Sequence, residues 1–264
     1  MTTNAELETG NEVKTTIMNV GGIARPVQYT VVEGRAKTEG CIIIGSEAEA
    51  QASFDLARAT PGVLDPTRSL MGFGLIGEHF RWENATIIYE IDSALPDTDR
   101  IEGAMQHWRD SVGIQFEERV AGRNEHRNYV RFVRGGGCSS AVGMRGGMQE
   151  LVLGNACTKG NCIHEIGHAL GLWHEQSRID RDFHVRIHFE RIEAGREFNF
   201  FQRLHDGFDI GAYDPGSIMH YPLDAFAVGD QPTIELLTPH NGTVGQRDGL
   251  SDGDKAAIRK MYSL

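Results

Sequence analysis

The densest chemistry in the sequence lies in one run, His164-Glu165-Ile166-Gly167-His168-Ala169-Leu170-Gly171-Leu172-Trp173-His174-Glu175. On a helix, His164 and His168 stand four residues apart and project from one face, so both imidazoles can reach a single ion about 2.0–2.1 Å away. Glu165 lies beside the first of them, where its carboxylate can hold and deprotonate a metal-bound water without ligating the metal. His174 would point away if the helix simply continued. Gly171, free to adopt the left-handed conformation that ends a helix, turns the chain back and brings His174 to the ion from another side. Two helical histidines alone are often plain surface; Gly171 and His174 at these offsets remove that reading. Three neutral imidazoles with one open position describe a catalytic zinc site, since a structural one is closed by four protein ligands. Imidazole also suits copper, nickel and cobalt, so zinc is favoured by availability and tetrahedral preference, not by spacing.

These residues need a scaffold, and the sequence outlines one. Ala85 to Ile91 reads as a strand with Ile87, Tyr89 and Ile91 on one face. Ile101, Met105, Trp108 and Val112 form one apolar helical stripe, with Asp97 or Asp99 as a cap. Ile114 to Val120, Asn128 to Val133 and Met148 to Leu153 read as further strands, and Ser251-x-x-Asp254 starts a helix that carries Ile258 and Met261. Strands and helices in this order predict an α+β fold, a mixed sheet backed by helices. Residues 1–72 read as an appendage. Thr2 to Thr16 is polar and mobile in character, Val27 to Val32 and Cys41 to Ile44 are short β-branched runs, and Glu47 to Arg58 suits one helix. Ala59-Thr60-Pro61-Gly62 and Asp65-Pro66 then break any helical pattern and mark an exposed connection open to proteolytic nicking.

Composition narrows the function classes. The 264 residues include 26 basic and 37 acidic side chains, a formal net charge of −11. Nucleic acid and anionic membranes call for clustered Lys and Arg, so neither is an expected partner. No apolar run approaches the ~18 residues that span a bilayer, which excludes membrane insertion. Met1 to Pro26 lacks a basic start followed by ~7–15 apolar residues, so no secretory signal is visible.

The zinc motif with Glu175, followed by Ser217-Ile218-Met219-His220-Tyr221, resembles the astacin branch of the metzincin zinc endopeptidases, the second stretch matching its methionine turn. Arg81-Trp82, Ile88-Tyr89-Glu90-Ile91-Asp92 and Ser177-Arg178-Ile179-Asp180-Arg181-Asp182 extend the match over about 73–264. The resemblance implies a zincin-like domain with a mixed five-stranded sheet, an active-site helix and a methionine turn, at 73–264, preceded by an inhibitory prosegment at 1–72. It implies one catalytic Zn²⁺ held by His164, His168 and His174, with Glu165 as general base and then general acid. Met219 would floor the metal, and Tyr221 would sit near it and hydrogen-bond the oxyanion. Substrates would be extended polypeptides, aligned on Met148 to Leu153 as an edge strand. Arg203 and Arg247 are candidates for recognising acidic substrate residues. Secretion, too, is implied by resemblance alone. The competing reading is a catalytically inactive zinc-binding protein.

Family prosegments present an aspartate to the zinc. Here the corresponding stretch is Thr38-Glu39-Gly40-Cys41, with Cys41 where the aspartate would stand. A thiolate ligates zinc at about 2.3 Å, so Cys41 is expected to close the fourth position and keep the chain latent, a cysteine switch. Activation, by another protease or autocatalysis, is expected near Met71, Gly72 or Phe73, or at Arg68-Ser69. The new amino terminus would then pair with Glu175, which lacks that partner before activation; the plainer alternative for Glu175 is an ordinary exposed carboxylate. The resemblance pairs Cys138 with Cys157 and leaves Cys162 over, while a Cys157–Cys162 bridge competes.

Overall fold

The computed structural model describes residues 6–20, 23–59, 80–204 and 207–264. The expected cleavage bonds and the Pro-rich connection fall outside them. The N-terminal segment forms β1 (Val13–Val20), β2 (Ile23–Val32), β3 (Arg35–Thr38), β4 (Ile42–Ser46) and α1 (Glu47–Ala59). The remainder forms β5 (Thr86–Ile91), α2 (Asp99–Val112), β6 (Gln115–Glu118), β7 (Tyr129–Arg134), β8 (Cys138–Ser140), β9 (Met148–Leu153) and α3 (Lys159–Leu170). Beyond these lie β10 (Val185–Ile187), β11 (Ile234–Leu236) and α4 (Asp252–Tyr262).

Strands β5 to β9 make the mixed five-stranded sheet that the resemblance implies, in the order β6-β5-β7-β9-β8. The first four run parallel, and β8 is antiparallel to β9. One expectation is corrected here. Met148 to Leu153 is not an edge strand, because β9 is paired on both sides, with β7 and β8. The edge is β8, whose three residues are too few to leave an alternation in the sequence. On that edge lies the N-terminal segment. β4 pairs parallel to β8 at Ile42 and Ser140, and the antiparallel run β1-β2-β3-β4 extends the sheet to nine strands. The reading of Thr2 to Thr16 as mobile is likewise overturned for its described part. β-Branched Val13, Thr15, Thr16 and Ile17 pair with β2 from Thr30 to Pro26, and Glu6 is buried.

Helices back the sheet where the patterns predict. Ile101, Met105, Trp108 and Val112 all lie in the core. Helix α2 starts after Thr98, one residue between the two expected caps, with no side-chain cap bond. The core holds α3 in place with directed bonds as well as packing. Trp82 Nε1 donates to Ala169 O (2.8 Å), Trp108 Nε1 to Ile163 O (3.1 Å), and the Tyr262 hydroxyl to Leu170 O (2.9 Å). Buried indoles and phenols need such partners. Here the partners are carbonyls of the helix that carries His164 and His168. The Cys138–Cys157 disulfide joins the start of β8 to the loop before α3, while Cys41 and Cys162 are buried thiols. No helix among the described residues is long and apolar enough to cross a membrane.

Candidate metal centre

Helix α3 begins with a capping box. The Thr158 hydroxyl accepts from Asn161 N, and Asn161 Oδ1 accepts from Thr158 N. It ends at Gly171, whose φ of 110° is the left-handed conformation that lets the chain reverse toward His174. The reversal also supplies the Leu172 carbonyl, which accepts from His168 Nδ1 at 2.8 Å. Farther along the chain, Ser217 to Tyr221 turns beneath the helix. Asp254, the N3 residue of the α4 capping box, accepts from Ser217 Oγ (2.6 Å) and Ile218 N (3.0 Å) and fixes that turn. Ile218 O then accepts from His164 Nδ1 at 2.8 Å. Met219 is buried against Gly167, where a Cβ would come within 2.8 Å of its sulfur. Glycine at 167 thus leaves room for the Met219 side chain, whose flexibility lets it fill the space between helix and turn.

With Nδ1–H of His164 and His168 bonded to carbonyls and that of His174 bonded to the Glu39 carboxylate (2.7 Å), all three Nε2 lone pairs are free to face a common point. Burial, then the neighbouring Arg247 for His164 and His174 for His168, drives these two imidazoles well below the usual range, so both are neutral. Cys41 Sγ lies 3.6, 3.3 and 3.3 Å from Nε2 of His164, His168 and His174. Ligand bonds of about 2.0–2.1 Å to nitrogen and about 2.3 Å to sulfur at a tetrahedral angle would separate N from S by about 3.6 Å. The four donors, all buried and within 4.8 Å of one another, therefore fit zinc in identity, number and spacing. Burial and the nearby Glu165 push the Cys41 thiol up, and a divalent cation among the donors is what would favour the thiolate.

Two further groups face this cluster. Both carboxylate oxygens of Glu165 and the Tyr221 hydroxyl are buried with no hydrogen-bond partner among the described residues. Such atoms are costly unless something else uses them. Tyr221 is held by Gln176 Oε1 on its backbone N–H (3.0 Å) and by Phe200 and Phe226 around its ring, which sits 4.6 Å from that of His174. His220 takes no part. Its Nδ1–H donates to Tyr221 O, its Nε2 accepts from the Tyr213 hydroxyl, and burial lowers it to about 4.

The N-terminal segment meets this site at the β3–β4 connection, where Glu39 and Gly40 are both left-handed (φ 47° and 67°). Gly40 is required: a Cβ there would meet Glu6 O at 2.7 Å. Two carboxylates flank Cys41. Glu6 accepts from Arg247 Nε (2.8 Å) and Asn161 Nδ2 (2.6 Å), and Glu39 accepts from His174, Ser177 Oγ (3.0 Å) and Arg203. Burial alone would raise Glu39, but Arg203 and the His174 bond outweigh it and hold the carboxyl down at about 2. Neither Glu39 nor Glu6 stands out in the sequence; a glycine beside Cys41 is the one available sign of Glu39. Glu175 departs from the plainer of its two readings. It is buried, not exposed, accepts from Asp214 N (2.8 Å), lies 3.5 Å from Arg178 and is raised by burial to about 8.

Comparison with known proteins agrees with this geometry. The family model described as Astacin, a peptidase family, matches residues 76–263. Human meprin A subunit beta is 39% identical over 197 residues, 72% of this chain and 27% of its own length. Zinc metalloproteinase nas-13 of Caenorhabditis elegans is 39% identical over 190 residues, 70% of this chain and 41% of its own. The chain thus spans less than half the length of these relatives. Among solved structures, high choriolytic enzyme 1 of the medaka Oryzias latipes, a hatching enzyme zinc-protease, superposes with a TM-score of 0.63 at 33% identity, covering 70% of this chain and 93% of that one.

Proposed function

The chain belongs to the astacin family of peptidases, and on that premise we propose that it is a zinc-dependent endopeptidase in latent form, with 1–72 as inhibitory prosegment and 73–264 as catalytic domain. The observation that carries the reading is Cys41 Sγ within 3.3–3.6 Å of all three histidine Nε2 atoms. His164, His168 and His174 hold the zinc, and Cys41 closes the fourth position that a catalytic site leaves open. When bound, zinc supplies a Lewis acid that polarises the scissile carbonyl and makes water acidic.

The rest of the chemistry belongs to side chains of this chain. Once Cys41 withdraws, Glu165 takes a proton from the attacking water and delivers it to the leaving amine. Tyr221 donates its hydroxyl to the oxyanion, a contribution of about 2.7–4 kcal/mol. The two groups are buried without hydrogen-bond partners among the described residues, which supports an active enzyme over an inactive zinc-binding protein. An extended polypeptide substrate takes the place of the prosegment along the β8 edge. Arg203 and Arg247, which hold Glu39 and Glu6, then become available to acidic substrate side chains. Cleavage by another protease or by the enzyme itself releases the prosegment, and the new amino terminus pairs with Glu175. The Cys138–Cys157 disulfide supports an extracytoplasmic location.

Cys41→Ala in the full chain tests the latency. The variant should hydrolyse casein and process itself while the parent stays intact and silent; a variant as inactive and intact as the parent would refute the switch. Hydrolysis by the processed protein should vanish with a chelator and return with zinc. A processed protein that binds zinc and cleaves nothing would leave only the inactive reading.

A further inference from the structure

The three imidazoles of the metal centre are oriented from two different parts of the chain. His164 Nδ1–H is bonded to Ile218 O and His168 Nδ1–H to Leu172 O, carbonyls that lie outside the prosegment. His174 Nδ1–H is bonded instead to the Glu39 carboxylate, 135 residues away in sequence and part of the prosegment. Glu39 is fully buried, charged, and clamped on its other sides by Ser177 Oγ and Arg203, the guanidinium of which lies over the Trp173 ring at 4.3 Å. It is also left-handed, an uncommon conformation for a residue with a side chain, which the surrounding contacts must hold. Its oxygen faces the Nδ1 edge of the ring, away from Nε2, so it cannot be a fifth ligand. It lies where metal proteins place the carboxylate that orients a histidine and raises its basicity.

We infer that Glu39 is an outer-shell positioning residue of the metal centre, so that the prosegment reinforces zinc binding while it blocks catalysis, and the intact chain holds its metal more tightly than the processed one. This rests on the zinc reading given above. Removing the prosegment takes away two contributions at once, the Cys41 thiolate and the Glu39 bond to His174. The two are separable, because Cys41 acts on the metal and Glu39 acts on the ring.

The test is zinc transfer from the full-length holoprotein to a chromophoric chelator at neutral pH, with Cys41 in place throughout. Outer-shell carboxylates are worth about 10–100-fold in metal affinity. Glu39→Ala should loosen zinc by about tenfold or more, and Glu39→Gln, which keeps the shape and an acceptor oxygen, by less. Cobalt-substituted Glu39→Gln should have a visible absorption spectrum altered from that of the parent. After processing, parent and variants should release zinc at the same rate, because all have lost residue 39. Glu6→Gln is the control, loosening the other prosegment clamp without touching an imidazole Nδ1; zinc retention should stay within about twofold of the parent. Zinc held by Glu39→Gln and Glu39→Ala as tightly as by the parent overturns the inference. So does equal loosening by Glu6→Gln, which would make the effect one of docking alone. A parent chain that takes up no zinc overturns instead the reading on which the inference rests.

Discussion

Glu6 and Glu39 reach the metal centre from the N-terminal segment, Glu165 and Tyr221 from the C-terminal one. All four are at most 2% exposed. The first pair is fully engaged, each carboxylate with an arginine and at least one neutral donor. The second pair has no hydrogen-bond partner at all among the described residues. Side chains that serve only to hold can be satisfied completely. Groups that must accept and donate protons during a reaction are kept unsatisfied, at a cost of about 1–3 kcal/mol for each buried group. The contrast separates the N-terminal side of the interface from the C-terminal side without reference to motif.

The largest effect that could break this contrast is at Glu165. In the processed protein Glu165→Gln should lower peptide hydrolysis by about 10²–10⁴-fold, and the metal-free variant should melt above the parent because a buried, unpartnered acid is gone. A variant that lost stability would place Glu165 among the holding groups. Tyr221→Phe should follow, lowering kcat/KM by about 10²–10³-fold with no loss in melting temperature. Here the pairing of the two readouts is decisive, because a structural tyrosine would cost both.

On the holding side the sign is opposite. Glu6→Ala leaves Arg247 buried beside Asn161 without its carboxylate, and breaking such a pair costs on the order of 3 kcal/mol. Unprocessed chain carrying this substitution should leak activity against a peptide substrate, on the order of 10²-fold above the parent by the same arithmetic. An unchanged leak would mean that Cys41 alone secures the prosegment.

How much of this arrangement was readable in advance depends on sequence distance. His164, Glu165, His168, Gly171 and His174 lie within one helix and its turn, so their spacing encodes their geometry. The α2 stripe and the Ser251-x-x-Asp254 cap are local in the same sense, and both form. Cys41 could be found because the family pattern marks its position. Glu39 and Glu6 act across 135 and 241 residues. Nothing local distinguishes them from the exposed acids of a chain with 37 Asp and Glu. Strand β8 was hidden for another reason: at three residues, preceded by Gly135 to Gly137, it has no period to detect, and the edge position expected of β9 rests on the resemblance alone. Burial of Glu175 was invisible for a third, since the walls around it come from Arg178, Asp214 and the end of α4.

Glu175 gives the smallest effect and divides the two states of the molecule most cleanly. Burial lifts its carboxyl from 4.5 to about 8, against the opposing pull of Arg178. Between those values the folded chain keeps a proton that the unfolded chain has released, so stability falls as pH rises through this window, and the full penalty is present above about pH 8. In the unprocessed protein Glu175→Gln should therefore match the parent near about pH 4.5 and exceed it by on the order of 1 kcal/mol at about pH 8, the loss of Arg178's partner offsetting part of the gain. Melting curves across that range measure the slope. In the processed protein an ammonium group brought beside Glu175, as proposed above, would make the carboxylate the favoured form, and the same substitution should then destabilise at about pH 8. A variant that stabilises both forms equally would mean that no new cation reaches Glu175 on activation, leaving Arg178 and Asp214 N as its partners after processing as before.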